Sequence, residues 1–244
     1  MKRCFSSTLK KLALLVFVSL FTEHAYSQNS FGLEFGQVNQ RQFGVHKLDS
    51  IVVLPSRNES INTRLLAAFF ELELTKKFSI HHKLSYYKAF TSYVYFNENK
   101  EVFPGMFEKK VSGPRIRRVS LDVLPQFALI DFGKIRVNAF GGLSFSANMV
   151  LDDEEFDFRG LPGVSLVGNS FKSSQIPFTT NFVFGGSVEY SRRLVFWTKW
   201  QPSSYYSKEI NIDGDHFSFK NKWSFFSFTL GYKFYSLKIK GEVD

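Results

Sequence analysis

Apolar and polar residues alternate with a period of two in eight stretches of the chain between residues 31 and 234. Strict alternation over several residues marks a strand whose two faces meet different surroundings. In the first stretch Phe31, Leu33 and Phe35 alternate with Gly32, Glu34 and Gly36. The second sets Leu66, Ala68, Phe70, Leu72 and Leu74 against Ala67, Phe69, Glu71 and Glu73. In the third, Ile80, Leu84 and Tyr86 oppose His81, Lys83 and Ser85, and His82 breaks the pattern. The fourth places Val119, Leu121, Val123, Phe127 and Leu129 opposite Ser120, Asp122 and Gln126. The fifth is the clearest, with Ile135, Val137, Ala139, Leu143, Phe145 and Met149 against Arg136, Asn138, Ser144, Ser146 and Asn148. A sixth opposes Phe182, Phe184, Val188 and Tyr190 to Asn181, Gly185, Ser187 and Glu189. The seventh, LVFWTKW, is apolar nearly throughout, so Lys199 and Gln201 alone indicate its polar face. The eighth opposes Phe226, Phe228, Leu230, Tyr232 and Phe234 to Ser227, Thr229, Gly231 and Lys233.

The connections alternate in length. Short ones fall around Lys76-Lys77, Asp131-Phe132-Gly133-Lys134 and Ser191-Arg192-Arg193. Long polar ones cover roughly residues 39–63, 91–115, 150–177 and 203–221. Most segments reach the roughly 9–11 residues a tilted strand needs to cross a bilayer, and an even count suits a bacterial barrel. The expected fold is therefore all-β: an eight-stranded antiparallel up-and-down transmembrane β-barrel with four long extracellular loops and three short periplasmic turns. Pro125 forfeits a ladder bond inside the fourth segment and is read as a bulge or a strand end. Gly141-Gly142 and Gly185-Gly186 are read as bends or as room for a large neighbour.

The N-terminus bears on destination. Lys2, Arg3, Lys10 and Lys11 lead into the apolar run Leu12 to Phe21, and Ala25-Tyr26-Ser27 precedes Gln28. Basic lead, short apolar run and small cleavage residues make a signal peptide. As a membrane anchor that run is too short, about 15 Å against a hydrocarbon core of about 30 Å. The domain reading is thus 1–27 signal peptide, 28–236 outer-membrane barrel and 237–244 short C-terminal tail, with the cell outer membrane as location. Removing residues 1–27 lowers the formal charge from +9 by three to +6 and removes Cys4, the only cysteine. The mature chain then forms no disulfide or thiolate site, and with no long basic stripe no nucleic-acid partner is expected.

The 30 Phe and 18% aromatic content favour a lipid-facing wall over a single soluble core. A soluble lipocalin-type barrel, polar outside, is the rival reading. Against it stand polar faces dominated by Ser, Gly, Asn and Thr, and aromatics near segment ends (Tyr86, Tyr87, Phe90, Tyr93, Tyr95, Trp197, Trp200, Trp223, Tyr232, Phe234, Tyr235), where membrane interfaces favour them. The presumed inward charges also nearly balance, Glu34, Glu71, Glu73, Asp122 and Glu189 against Lys83, Arg136, Lys199 and Lys233. An eight-stranded lumen holds side chains and little else, and buried charges persist when paired. A filled, non-conducting lumen with a structural charge network follows.

Two stretches carry a family resemblance. SLDVLPQFALIDFGKIRVNAFGGLSFS (120–146) resembles the central hairpin, and KNKWSFFSFTLGYKF (220–234) the closing strand, of the Bacteroidetes outer-membrane β-barrel proteins grouped as the PorT family. Departures are Leu124 before Pro125, Phe140-Gly141-Gly142 at the small cluster, and ten residues after Phe234. The resemblance implies an outer-membrane barrel, and for the founding member a place in a secretion and gliding system.

Candidate chemistry is sparse, and no catalytic residue, cofactor or metal is expected. His216-Phe217-Ser218 has the His-x-Ser spacing of lipid A deacylases, the alternative enzymatic reading, but Phe219-Lys220 replace the small polar residues that follow there. Asn211-Ile212-Asp213-Gly214-Asp215 begins like a calcium loop, but Lys222 stands at the position of the bidentate acid. Asp152-Asp153-Glu154-Glu155 reads as a solvated loop, Asn58-Glu59-Ser60 as a sequon without meaning in a bacterium, and adjacent His81-His82 as residues on opposite faces. The basic group Lys109, Lys110, Arg115, Arg117 and Arg118 is a candidate for contacts with outer-membrane lipid phosphates, lipopolysaccharide included. The expected reading is a monomeric, non-enzymatic barrel acting through its long loops or with other envelope proteins.

Overall fold

The computed structural model describes residues 28–43, 46–48, 51–55, 61–97, 108–150, 173–206 and 222–238. Its strands are β1 (Gln28–Phe43), β2 (His46–Leu48), β3 (Ile51–Pro55), β4 (Ile61–Glu73), β5 (Phe78–Asn97), β6 (Glu108–Phe132), β7 (Ile135–Val150), β8 (Phe178–Tyr190), β9 (Leu194–Tyr205) and β10 (Lys222–Lys238). Eight of them pair antiparallel in the order β1-β4-β5-β6-β7-β8-β9-β10. The ladder from Gln28↔Lys238 to Phe43↔Lys222 then joins β10 back to β1 and closes the barrel. Closure leaves the wall without a free edge, so its backbone groups are satisfied within the sheet.

Local chemistry makes the short turns. Thr75 Oγ1 accepts the backbone N–H groups of Lys77 and Phe78 at 3.2 and 3.0 Å, and Asp131 Oδ1 accepts that of Gly133 at 3.2 Å. Gly133 takes φ +67°, which glycine adopts without steric cost. The β8–β9 turn takes the same left-handed region without glycine, at Ser191 (φ 52°) and Arg192 (φ 56°).

Three features depart from the sequence reading. Residues 91–115 are not one long loop: β5 and β6 run on through most of it, paired as far as Phe96↔Glu108. The β4–β5 ladder ends at Leu65↔Tyr87 and the β6–β7 ladder at Ile116↔Val150, so this hairpin continues past the wall. Residues 39–63 contain β2 and β3, and β3 adds to the far end of β5 through Ile51↔Asn97 to Pro55↔Tyr93. Pro125 is neither a bulge nor a strand end. The β6–β7 ladder skips from Val123↔Leu143 to Gln126↔Phe140 without losing register, and the shift comes later, between Ala128 and Ile130. Gly142 accommodates this site, because a Cβ there would lie 2.0 Å from the Val123 carbonyl oxygen.

Alternation sorts the faces. Phe182 is 74% exposed and Leu129 61% on the outer wall, whereas Asp122 is fully buried inside. Water would penalise such an exterior by roughly 25 cal/mol per Å² of apolar surface, whereas hydrocarbon would not.

Candidate functional site in the barrel lumen

Inward side chains stack in layers from the short-turn rim toward the long-connection rim. At the turn end lies a cavity of about 590 Å³, bordered by Ser30, Glu71, Glu73, Arg136, Glu189, Arg192, Arg193 and Lys233 among others. Lys233 Nζ bridges two carboxylates, Glu71 and Glu189, the latter at 2.8 Å. Glu71 also accepts the hydroxyls of Ser30 and Ser79, at 3.2 and 2.9 Å. Arg136 binds Glu73 at 2.5 Å and the Lys76 carbonyl at 2.8 Å, tying the inner wall to a turn.

Above this vestibule the lumen is closed by rings. His81 stacks on Phe69 at 4.8 Å between centroids and meets Trp197 at 4.1 Å, and Phe140 meets Trp197 at 5.1 Å. Leu124, Val183 and Val195 complete the apolar cluster around Phe140 and Trp197. Phe69 crosses the lumen because the facing inward position on β1 is glycine: a Cβ at Gly32 would fall 2.3 Å from Phe69 Cζ. His81 Nε2 is 3.7 Å from Glu34 Oε1, too long for a hydrogen bond, so the imidazole acts here mainly as a ring.

The next layer is ionic. Glu34 is held by Lys83 and by the Thr229 hydroxyl at 2.6 Å, and Lys199 pairs with Asp122 at 2.5 Å. Nearer the long-connection rim, Arg118 donates to Ser146 at 2.7 Å and Ser120 at 3.3 Å. Its guanidinium lies 4.7 Å from the Tyr206 ring centroid and 4.8 Å from that of Phe225. An apolar cluster that includes Val38, Leu65, Ala89, Ile116 and Trp223 surrounds that end.

The nine residues assigned to a lumen network all face inward, and Arg118 joins them. Arg118 is the correction: it does not face lipid phosphates, because two-residue parity puts it with Ser120 and Asp122, and it is fully buried. Among the described residues, five inward carboxylates then meet five inward cations. Arg117 is exposed on the outer face. Lys109, Lys110 and Arg115 lie on β6 opposite Tyr95, Val94 and Phe90, and their side chains fall outside the described residues. Tyr87, Trp197 and Trp223 do not belong to interface belts; their parity turns them into the lumen, where each is at most 3% exposed. Residues 1–27, Asn58–Ser60, Asp152–Glu155, Asn211–Asp215 and His216–Ser218 lie outside the described residues. Among the described residues no group of three or more His, Cys, Asp or Glu is placed to hold a metal.

A closed antiparallel barrel that is apolar outside and ion-paired within is built for lipid, since burying its charges and exposing its rings would be penalised in water. The chain is an eight-stranded β-barrel of the outer membrane. No family model matches it, and no curated protein does. Solved structures similar to it include the outer membrane protein OprG from Pseudomonas aeruginosa, at 11% identity and TM-score 0.46 over 86% of this chain and 97% of that one. Ail, the attachment invasion locus protein of Yersinia pestis, solved in complex with a heparin analogue, aligns at 10% identity and TM-score 0.39 over 86% of this chain and all of its own. Neisserial surface protein A aligns at 10% identity and TM-score 0.38 over 84% of this chain and 97% of its own.

Proposed function

We propose that this protein is a non-enzymatic outer-membrane barrel that conducts nothing through its lumen and acts through its long-connection rim or as part of an envelope assembly. The observation that carries this reading is the ring layer of Phe69, His81, Phe140 and Trp197 between two ion-paired layers. A permeant ion would have to displace packed rings and then separate buried pairs. Working surface is instead added at the opposite end from the short turns, where β5 and β6 leave the wall and β3 pairs onto β5.

Residues 1–27 serve as the export signal, and a tail follows the end of β10, which pairs Lys238 with Gln28. The likeness of residues 120–146 and 220–234 to PorT-family barrels supports a Bacteroidetes barrel of that kind. Outer-membrane lipid and other envelope proteins are its proposed partners, with the barrel itself monomeric.

Planar-bilayer recording tests the reading. Purified protein is expected to give no steady single-channel current, whereas Trp197→Ala combined with Phe69→Ala opens the ring layer and gives measurable conductance. Steady openings from the unmodified protein would overturn it.

A further inference from the structure

The outer wall carries an arrangement that the lumen does not explain. Lys88 and Arg117 stand directly opposite each other in the β5–β6 ladder. Arg64 lies on the other side of Lys88, one position past the Leu65↔Tyr87 pair of the β4–β5 ladder. All three are exposed, and each continues the outward face of its strand, with Leu66, Tyr86 and Val119 next below. Strand spacing of about 4.8 Å therefore lines up three cations side by side. Like charges directly opposite one another in a sheet are destabilising unless counter-charge is supplied. The chain does not supply it among the residues whose side chains are described: on these strands Glu71, Glu73 and Asp122 face the lumen, and Asp131 stands opposite inward Arg136 at the short-turn end.

We infer that Arg64, Lys88 and Arg117 form a binding site for the phosphate groups of a phosphorylated outer-leaflet lipid. The inference rests on the barrel reading above, because the row needs a membrane beside it. Position identifies the occupant. The row marks the place where the β4–β5 ladder ends, at the upper border of the apolar wall. A lipid whose chains cover Leu66 and Tyr86 brings its headgroup to that height, and one multiply phosphorylated headgroup can neutralise several of the cations. An acidic protein would have to enter the headgroup layer to do the same. Arg118 is the next residue along β6, yet its guanidinium is enclosed by rings and hydroxyls inside the barrel. The basic run therefore divides by parity, and alternate arginines perform different work.

The test uses full-length protein folded in detergent and titrated, by native mass spectrometry, with bis-phosphorylated lipid A and with the same lipid after removal of its phosphates. Unmodified protein is expected to retain the phosphorylated lipid and release the dephosphorylated one. Lys88→Gln weakens retention about fivefold, and the triple variant Arg64→Gln, Lys88→Gln, Arg117→Gln roughly a hundredfold. A control triple on the turn rim, Lys76→Gln, Lys77→Gln, Lys134→Gln, is expected to bind as the unmodified protein does. Equal retention of the two lipids, or equal binding by the two triple variants, overturns the site. Heat-modifiable gel mobility, run alongside, reports the folded barrel in each sample. Its absence from the unmodified protein would remove the barrel reading and the site with it, an outcome distinct from a folded barrel that ignores phosphate.

Discussion

At the scale of single residues, the lumen shows why charge can be stored inside a membrane protein. Lys83 and Glu34 are each about 1% exposed and held by each other. Removing one partner leaves an uncompensated buried ion, which typically costs 3–5 kcal/mol, whereas replacing both with apolar groups of similar size is often neutral. Lys83→Met is therefore expected to lower the stability of the barrel in lipid vesicles by about 3 kcal/mol, and Lys83→Met with Glu34→Leu by much less. Urea unfolding checks both; a double variant as unstable as the single would show that the pair is not the source. Gly32 offers a steric counterpart. Gly32→Ala should cost about 1–3 kcal/mol through its clashes with the Phe69 ring and with the Tyr232 carbonyl oxygen, and Phe69→Leu should recover only the Phe69 part of that loss in the same unfolding experiment. Residue-level reading of the sequence placed the acids and lysines but not Arg118. Clustering in sequence makes the basic residues look like one patch, whereas the parity of Ser120 and Asp122 assigns Arg118 to the inner face. The ring layer is less legible: alternation puts His81 on the inner face with Lys83 and Ser85 but does not show that it stacks between Phe69 and Trp197, and β9 is too uniformly apolar for Trp197 to stand out.

At the scale of elements, period-two alternation made the eight wall strands legible, because lipid on one side and a packed lumen on the other impose opposite chemistry on successive residues. That signal fades where a strand leaves the wall. Residues 90–97 and 108–115 pair only with each other and, in part, with β3, so their faces need not differ in the same way, and period-two alternation does not distinguish 91–115 from a loop. The short run Ile51–Pro55 likewise carries too few residues to stand out from the polar connection around it. The turns show the converse. Ser191 and Arg192 occupy left-handed backbone that costs a residue with a side chain roughly 1 kcal/mol. Arg192→Gly is expected to raise stability by about that amount. A loss on substitution, read from the urea midpoint, would mean that the Arg192 side chain contributes more than the backbone strain removes.

At the scale of the whole molecule, one inversion accounts for the rest: apolar side chains point outward, and polar and charged ones fill the interior. Aromatic content, paired interior charges and the outward cation row follow from placing that inverted barrel in a bilayer. Because Cys4 is the only cysteine, and falls within the proposed export signal, single cysteines can be introduced without background labelling. The most direct measurement is therefore a cysteine scan of β7 from Leu143 to Met149, each site carrying a fluorescent label in vesicles that contain brominated lipid. Labels at Leu143, Phe145, Ala147 and Met149 are predicted to be strongly quenched, and those at Ser144, Ser146 and Asn148 to be protected. Reversed parity, or quenching that does not alternate, would contradict a lipid-facing barrel with a sealed polar interior.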